Sequence, residues 1–188
     1  MNSETIISKY MAKVVDTISL LDFKGIDELA SLIIQAYDQE KTIFFFGNGG
    51  SAATASHLCG DYVKGLSYNR EKRFKAMCLC DNLSALMAIA NDISYDDIFI
   101  EQLKNFVQPD DIVIGISGSG NSMNVVKGLQ YAKDQNAKTV AFCGYDGGKI
   151  KEIADIVIHA PIQDMEISED VHMVIGHCLK RAISIRLV

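Results

Sequence analysis

The first forty residues carry apolar side chains at helical spacing. Residues 4–21 and residues 26–38 each place apolar positions three and four residues apart, which predicts two amphipathic helices. The pattern then changes, because residues 42–46 form a continuous run of β-prone, mostly apolar side chains. A strand that is apolar at nearly every position is typical of a parallel sheet covered on both faces.

Runs of the same kind recur down the chain, and each is followed by a helical pattern. They predict strands at Ala76–Leu79, Ile112–Ile116, Thr139–Cys143 and Ile156–His159, and helices from Ser84, from Ser122, after Gly148 and from about Glu166 to Val188. This alternation predicts an α/β fold with a doubly wound, five-stranded parallel sheet flanked by helices. We expect a single domain, with residues 1–40 as a helical N-terminal extension and residues 41–188 as the core. Ligands of such sheets bind beyond the carboxyl ends of the strands, so the loops after the first three strands are the candidate site.

The composition narrows the possible functions. The 188 residues carry a net charge of −6, and the basic residues are scattered apart from a short cluster at Arg70–Arg73, so we expect no nucleic-acid partner. The N-terminus lacks a basic segment followed by an apolar stretch, and the apolar runs are far shorter than the roughly 20 residues that cross a bilayer. We therefore expect a cytoplasmic protein without membrane segments. Its five cysteines show no CxxC spacing, which favours reduced structural thiols over a metal site.

The loop after the third strand has the composition of an anion-binding turn. It reads Ser117-Gly118-Ser119-Gly120-Asn121-Ser122, so two glycines and three serines precede a predicted helix start. Backbone N–H groups at a helix N-terminus bind an anion with the help of the helix dipole, without needing Lys or Arg. The same serines would also suit a simple helix cap on a flexible turn. We favour phosphate binding, because the turn directly follows a buried strand.

The loop after the first strand permits two interpretations. Gly47-Asn48-Gly49-Gly50-Ser51-Ala52 fits the G-x-G-x-x-G/A dinucleotide fingerprint, which expects an acidic residue about 20 positions further on, at the end of the second strand. The acidic residue in that context, Asp81, lies 29 residues after Ala52, so the spacing disfavours a nicotinamide cofactor. Asn48 and Ser51 instead suit the hydroxyl groups of a sugar.

Histidines and carboxylates recur on two predicted helices. His57 and Asp61 lie four residues apart and share one helix face, where they form either a local ion pair or an acid–base and metal-binding pair. On the last helix, Glu169 and His177 are eight residues apart, or about 12 Å along a helix axis. If both serve one kind of site, a neighbouring subunit must supply one of them. The two N-terminal helices either bury a face in such an oligomer or cover the core of their own subunit.

The motifs occur in an order that resembles a known family. Similar sequences at similar spacing occur in the SIS-domain sugar isomerases, and within them in the phosphoheptose isomerases, for Phe46–Ser51, His57, Ala90–Asp92, Gly115–Ser122 and Gly144–Lys149. The resemblance covers nearly the whole chain. It implies a homotetramer with the N-terminal helices in a central bundle and active sites at subunit boundaries. It also implies isomerisation of D-sedoheptulose 7-phosphate to D-glycero-D-manno-heptose 7-phosphate through an enediol.

The same resemblance implies roles for individual residues. The phosphate loop would comprise Ser117, Gly118, Ser119 and Ser122, and the sugar contacts would be Asn48, Gly49, Gly50, Ser51, Asn91 and Asp92, with Asp61 and Glu169 as further substrate contacts. One Zn²⁺ ion per subunit would be held by His57, Asp61, Glu169 and His177. In the family mechanism, Asp61 takes the position of the general base and His177 that of its acid–base partner.

Four features depart from the family pattern. Asp61 replaces the usual Glu, so the base is one methylene shorter and shifts by about 1 Å. Glu169 replaces the usual Gln, which adds a negative charge and should strengthen zinc binding. Gly118 replaces a Thr of the phosphate loop, and residues 61–65 offer Lys64 where the family has an Arg. The changes mark either a subgroup with another phosphosugar substrate or a loss of catalysis.

Two other functions fit the same motifs. A non-catalytic SIS module would bind a phosphosugar or a protein partner, and an isomerase of pentose or hexose phosphates would share the phosphate loop. The presence of His57, Asp61 and His177 together favours an enzyme, because a pure binding module has no need of an acid–base pair.

Overall fold

The computed structural model describes residues 2–187. Its helices are α1 (Ser3–Ser19), α2 (Phe23–Asp38), α3 (Gly49–Gly60), α4 (Leu83–Asp92), α5 (Ile100–Phe106), α6 (Met123–Asp134), α7 (Gly148–Ile153) and α8 (Met165–Arg186). A π-helical turn, Asp61–Leu66, continues α3, and a 3-10 turn, Tyr95–Asp97, follows α4. The last helix ends at Arg186, and Val188, its predicted end, lies outside the described residues.

Five strands form a single sheet. They are β1 (Thr42–Gly47), β2 (Lys75–Cys78), β3 (Ile112–Ser117), β4 (Lys138–Cys143) and β5 (Ile156–His159), all pairs are parallel, and their order is β2-β1-β3-β4-β5. The chain therefore winds from β1 to β2 in one direction and from β3 to β5 in the other, which confirms the predicted doubly wound sheet. Its switch point lies between β1 and β3, where the two glycine-rich loops leave the sheet.

Each face of the sheet carries a hydrophobic core. Along β1, Ile43 and Phe45 join one core and Phe44 and Phe46 join the other, as alternation along a strand requires. Helices α1, α2, α3 and α8 cover the first core, and α4 to α7 cover the second. Because both faces are buried, the strand sequences are apolar at nearly every position.

Helices α3 and α8 lie side by side and run in the same direction. Near their starts, Gly50 faces Glu169, and a Cβ atom at position 50 would overlap that carboxylate. About two turns further along, Leu58 packs into the space that Gly176 leaves. Both helices therefore begin at the carboxyl edge of the sheet, and side chains at matching positions meet along their length.

Helix α1 is only partly covered by the rest of its subunit. Val14 and Ile18 pack against the first core. Four other apolar positions of the helix, Ile6, Ile7, Met11 and Val15, are 57–64% exposed. The helix thus covers the core of its own subunit and still presents an apolar stripe. Within residues 2–187, no helix combines the length and the apolar character that crossing a membrane would require.

Candidate active site

A cavity of about 250 Å³ lies at the switch point of the sheet, between the two glycine-rich loops. It brings together nine of the residues predicted to bind substrate, namely Asn48, Gly49, Gly50 and Ser51 from the first loop, Ser117, Gly118, Ser119 and Ser122 from the second, and Glu169 from α8. Ile116 of β3 and Met165 of α8 complete the lining. We refer to this space as the serine-loop cavity.

Two helices begin at the serine-loop cavity. Helix α3 starts at Gly49 and α6 starts at Met123, and in neither does a side chain of the preceding residue cap the first N–H groups. Those N–H groups have no acceptor inside their own helix, and the helix dipole makes this end positive. Gly120, at φ +68°, permits the tight turn before α6, because a Cβ atom there would overlap the carbonyl of Gly147. The cavity therefore offers backbone donors and a positive potential to an anion.

Asn48 is held by two residues that the sequence analysis did not single out. Its Nδ2 donates to Oδ1 of Asn124 at 2.9 Å, and Nδ2 of Asn124 donates back to Oδ1 of Asn48 at 3.0 Å. The hydroxyl of Tyr95 donates to the same Oδ1 at 3.0 Å. Asn124 is only 1% exposed. The sequence did offer one signal for Asn124, which is an amide in the first turn of a predicted helix with a buried face. A buried amide needs a polar partner.

A second cavity, of about 260 Å³, lies on the other side of Asn48. Its lining is mainly apolar and includes Leu86, Met87 and Phe99, together with Cys80 and Tyr95. The predicted sugar contacts Asn91 and Asp92 line neither of the two cavities, and Nδ2 of Asn91 donates to Asp92 at 2.7 Å. Their role in binding stays a prediction.

Cys80 lines the second cavity. Cys80 donates from its sulfur to the carbonyl of Gly47 at 3.3 Å. A hydrogen bond from the Cys78 thiol lowers the pKa of Cys80, against the effect of burial. The same hydrogen bond, aided by burial, raises the pKa of Cys78. None of the five cysteines within the described chain is in a disulfide.

His57, Asp61 and His177 form a cluster further along α3 and α8. Nε2 of His57 lies 2.9 Å from Nε2 of His177 and 3.6 Å from Oδ2 of Asp61, and Nε2 of His177 lies 4.0 Å from the same oxygen. Helix α3 presents His57 one turn before Asp61, and α8 presents His177 across the helix contact. This oxygen of Asp61 is buried and has no hydrogen-bond partner within residues 2–187.

The cluster has the donors and spacing of a transition-metal site. Ligands at about 2.0–2.1 Å from a tetrahedral zinc ion lie about 3.3 Å from one another, and the three separations in the cluster bracket that value. A buried carboxylate oxygen without a partner also requires a positive neighbour. The residues present therefore fit a divalent ion such as zinc.

Lys180 holds the other oxygen of Asp61. Its Nζ donates to Oδ1 of Asp61 at 2.5 Å. Gly65 leaves room for the lysine, because a Cβ atom there would meet Cε and Nζ of Lys180. Only Oδ2 of Asp61 is left to face the imidazoles. Sequence reasoning missed Lys180, although its position three residues after His177 places both on one helix face.

Glu169, the fourth predicted metal ligand, lies apart from the cluster within one described chain. Its carboxylate is in the serine-loop cavity against Gly50, and it precedes His177 by about 12 Å along α8. Burial, then the charges of Glu166 and Asp170, raises the pKa of Glu169. Its role as a ligand stays a prediction, which requires a neighbouring subunit.

Comparison with known proteins identifies the family. A family model described as the SIS domain matches residues 8–144. The phosphoheptose isomerase of Paramagnetospirillum magneticum is 42% identical over 137 residues, which cover 73% of this chain and 71% of that protein. The phosphoheptose isomerase of Clostridium acetobutylicum is 38% identical over 152 residues, which cover 81% of this chain and 77% of that protein.

Solved structures agree with these relatives. The phosphoheptose isomerase of Neisseria gonorrhoeae superposes with a TM-score of 0.90 at 26% identity, over 97% of this chain and 98% of that one. The matches confirm the predicted family, the predicted fold and the prediction of an enzyme. The chain therefore belongs to the SIS domain family and, within it, to the phosphoheptose isomerases, a group of phosphosugar isomerases.

Proposed function

We propose that the protein interconverts D-sedoheptulose 7-phosphate and D-glycero-D-manno-heptose 7-phosphate. The observation that carries this proposal is the pairing of an anion-binding cavity at the start of α3 and α6 with an Asp–His cluster further along α3 and α8. A phosphate ester requires the first, and proton transfer at the sugar carbons requires the second. The names of the relatives support the same substrate.

The serine-loop cavity is the proposed phosphate site. The hydroxyls of Ser117 and Ser122 lie 3.2 Å apart, and both residues line the cavity beside the N-terminal ends of α3 and α6. Hydroxyls and backbone N–H groups of this kind bind phosphate oxygens. Gly118 stands where the family pattern has a threonine. The sulfur of Met165 fills the space that a Cβ atom at this position would need. The loop therefore keeps its packing without the usual threonine.

Asp61 is the proposed general base, and His177 is its partner. Asp61 removes a proton from C1 of the ketose, which gives a 1,2-enediol, and return of a proton to C2 gives the aldose. His177 donates a proton from Nδ1, the ring nitrogen outside the metal cluster, to the oxygen on C2 and takes one back from the oxygen on C1, so no atom is gained or lost. The hydrogen bond from Lys180 leaves Oδ2 of Asp61 as the oxygen that faces His177.

Zinc is the proposed cofactor, one ion per subunit. His57, Asp61 and His177 of one chain would hold it, and Glu169 of a second chain would complete the set. When bound, the ion would polarise the oxygens of the substrate. The unpartnered, buried Oδ2 of Asp61 supports this assignment.

A homotetramer with sites between subunits is the proposed assembly. The 12 Å that separate Glu169 from His177 along α8 support a site shared by two chains. The exposed apolar stripe of α1 supports burial of the N-terminal helices between subunits. Because α1 and α2 pack on the same core as α3 and α8, we propose one domain over residues 1–188, with residues 1–40 as an extension. A phosphosugar and further copies of the chain are the proposed partners, and the cytoplasm is the proposed location.

Turnover of three sugar phosphates tests the proposal. Zinc-loaded protein is assayed with sedoheptulose 7-phosphate, fructose 6-phosphate and ribulose 5-phosphate, beside an Asp61→Asn variant. We expect turnover of the heptose above the shorter sugars, and its loss in the variant. Turnover of a shorter sugar alone would indicate another phosphosugar isomerase. Binding of all three sugars without turnover would indicate a non-catalytic SIS module.

A further inference from the structure

Asn48 occupies the position of a helix cap but does not act as one. It precedes α3 with an extended backbone, at φ −116° and ψ 150°, from which an asparagine side chain normally accepts a hydrogen bond from the second or third helical N–H. Asn48 makes no such bond. Side chains at the same position do cap α1, α2, α4 and α8, through Asn2, Asp22, Asn82 and Asp164.

The hydrogen bonds of Asn48 explain the missing cap. A carboxamide oxygen has two lone pairs, and Oδ1 of Asn48 uses both, for Nδ2 of Asn124 at 3.0 Å and for the hydroxyl of Tyr95 at 3.0 Å. Asn124 is fixed in turn, because its Oδ1 accepts from Nδ2 of Asn48 and from the N–H of Val125, each at 2.9 Å. No lone pair of Asn48 Oδ1 is left for α3.

We propose that Asn124, assisted by Tyr95, is a positioning residue that prevents Asn48 from capping α3. The first N–H groups of this helix, at Gly49 to Ser51, then stay open to the serine-loop cavity that they line. There they bind the phosphate group of the substrate together with the serine loop, rather than the sugar hydroxyls that the family resemblance assigns to them. The inference rests on the proposed function, since open N–H groups serve binding only if an anion enters this cavity.

The location of Asn124 fits this role. It lies in the first turn of α6, the second helix that begins at the cavity, and it is 1% exposed. Its amide therefore ties the loop after β1 to the loop after β3, across the switch point of the sheet. Tyr95 reaches Asn48 from the opposite side, out of the 3-10 turn that follows α4. Release of either contact would return a lone pair of Asn48 to the helix.

The affinity of the full-length protein for inorganic phosphate, measured by calorimetry, tests the inference. Asn124→Leu removes both amide contacts with a side chain of similar size, and Tyr95→Phe removes one hydroxyl from an exposed ring. An asparagine cap changes a helix equilibrium by a factor of about five, so we expect Asn124→Leu to weaken phosphate binding about fivefold. We expect Tyr95→Phe to weaken it about twofold, since one restraint remains. Tyr68→Phe, at another exposed tyrosine, is the matched control and should leave the affinity unchanged.

An Asn48→Ala background shows whether Asn124 acts by positioning Asn48 or only through the packing of the fold. In an Asn48→Ala background no asparagine is present to cap α3, so the addition of Asn124→Leu should leave phosphate affinity unchanged. Equal weakening in both backgrounds would overturn the inference, because Asn124 would then act on the fold alone. If Asn124→Leu does not fold, Tyr95→Phe is the deciding variant. A phosphate affinity of Tyr95→Phe equal to that of the wild type would overturn the inference. Absence of phosphate binding in the wild-type protein would overturn the proposed phosphate site, and the inference with it.

Discussion

Lys180 donates a hydrogen bond to Oδ1 of Asp61 through a space that the missing side chain of Gly65 leaves open. The family pattern has a glutamate at position 61. This chain has Asp61, which is one methylene shorter and is hydrogen-bonded to the ammonium group of Lys180. The carboxylate is 13% exposed at the side chain, so the charge of Lys180 acts on the metal cluster through little intervening water.

Replacement of Lys180 by Met should tighten zinc binding. The ammonium group of Lys180, bound to Oδ1, repels a divalent cation held by Oδ2 of the same carboxylate. We expect this repulsion to outweigh the contribution of Lys180 to the orientation of Asp61. We expect about fivefold higher affinity in Lys180→Met, measured by competition with a chromogenic chelator, and we expect Lys180→Arg to resemble the wild type. Arg181→Met, which removes the next charge on α8, is the matched control. Weaker zinc binding in Lys180→Met would show instead that orientation of Asp61 dominates.

Replacement of Glu169 by Gln should strengthen phosphate binding. The carboxylate of Glu169 lies in the serine-loop cavity against Gly50, where it repels an anion. Unit charges 4 Å apart interact by about 1 kcal/mol even in water, so we expect a gain of about fivefold in the affinity for inorganic phosphate. Calorimetry measures it, and Glu166→Gln, an exposed change one turn earlier on α8, is the control. Equal affinities of the wild type and Glu169→Gln would mean that the carboxylate leaves the cavity when phosphate enters.

The sequence predicted the sheet because parallel strands buried on both faces leave a continuous apolar signal. It also predicted the two glycine-rich loops, since a loop that follows a buried strand and starts a helix has few other roles. The pairing of His57 with Asp61 was visible because residues four apart share a helix face. In each case the signal lies within one segment of about ten residues.

Contacts between distant segments could not be predicted in this way. The bond between Asn48 and Asn124 joins residues 76 positions apart, and that between Lys180 and Asp61 joins residues 119 apart. Their geometry depends on the tertiary packing of α3 against α8 and of the loop after β1 against α6. The separation of Glu169 from the metal cluster was visible from the sequence as a length, since eight helical residues span about 12 Å. The sequence did not show which residue of a neighbouring subunit would complete the metal site across this distance.

Cys80 should react with iodoacetamide faster than the other thiols that line the core. The hydrogen bond from Cys78 lowers the pKa of Cys80, and the thiolate is the nucleophile, so Cys78→Ala should slow the alkylation of Cys80. The rate is followed by mass spectrometry of the peptide that contains residue 80. The exposed Cys178 on α8 is an internal control in the same digest, and its rate should not change. Equal rates at Cys80 in the wild type and in Cys78→Ala would contradict the proposed activation.

His172 should make the protein less stable as the pH falls. Its Nε2 hydrogen bonds to the carbonyl of Cys143 at 3.1 Å, and burial lowers its pKa to about 4, against an effect of that hydrogen bond in the opposite direction. Between pH 6.5 and about 4 the unfolded chain binds a proton at this position and the folded chain does not, so acid favours unfolding. The full effect is about 3 kcal/mol, since each pKa unit corresponds to about 1.4 kcal/mol.

Urea unfolding at pH 7 and at pH 4.5 measures this dependence. The variant His172→Gln keeps a donor for the carbonyl of Cys143 and has no group that titrates there. The loss of unfolding free energy between the two pH values should therefore be smaller in the variant than in the wild type, by about 2 kcal/mol, because most of the titration window is crossed. Other groups titrate equally in both proteins and cancel in the difference. An identical loss in the two proteins would show that a group other than His172 sets the acid sensitivity.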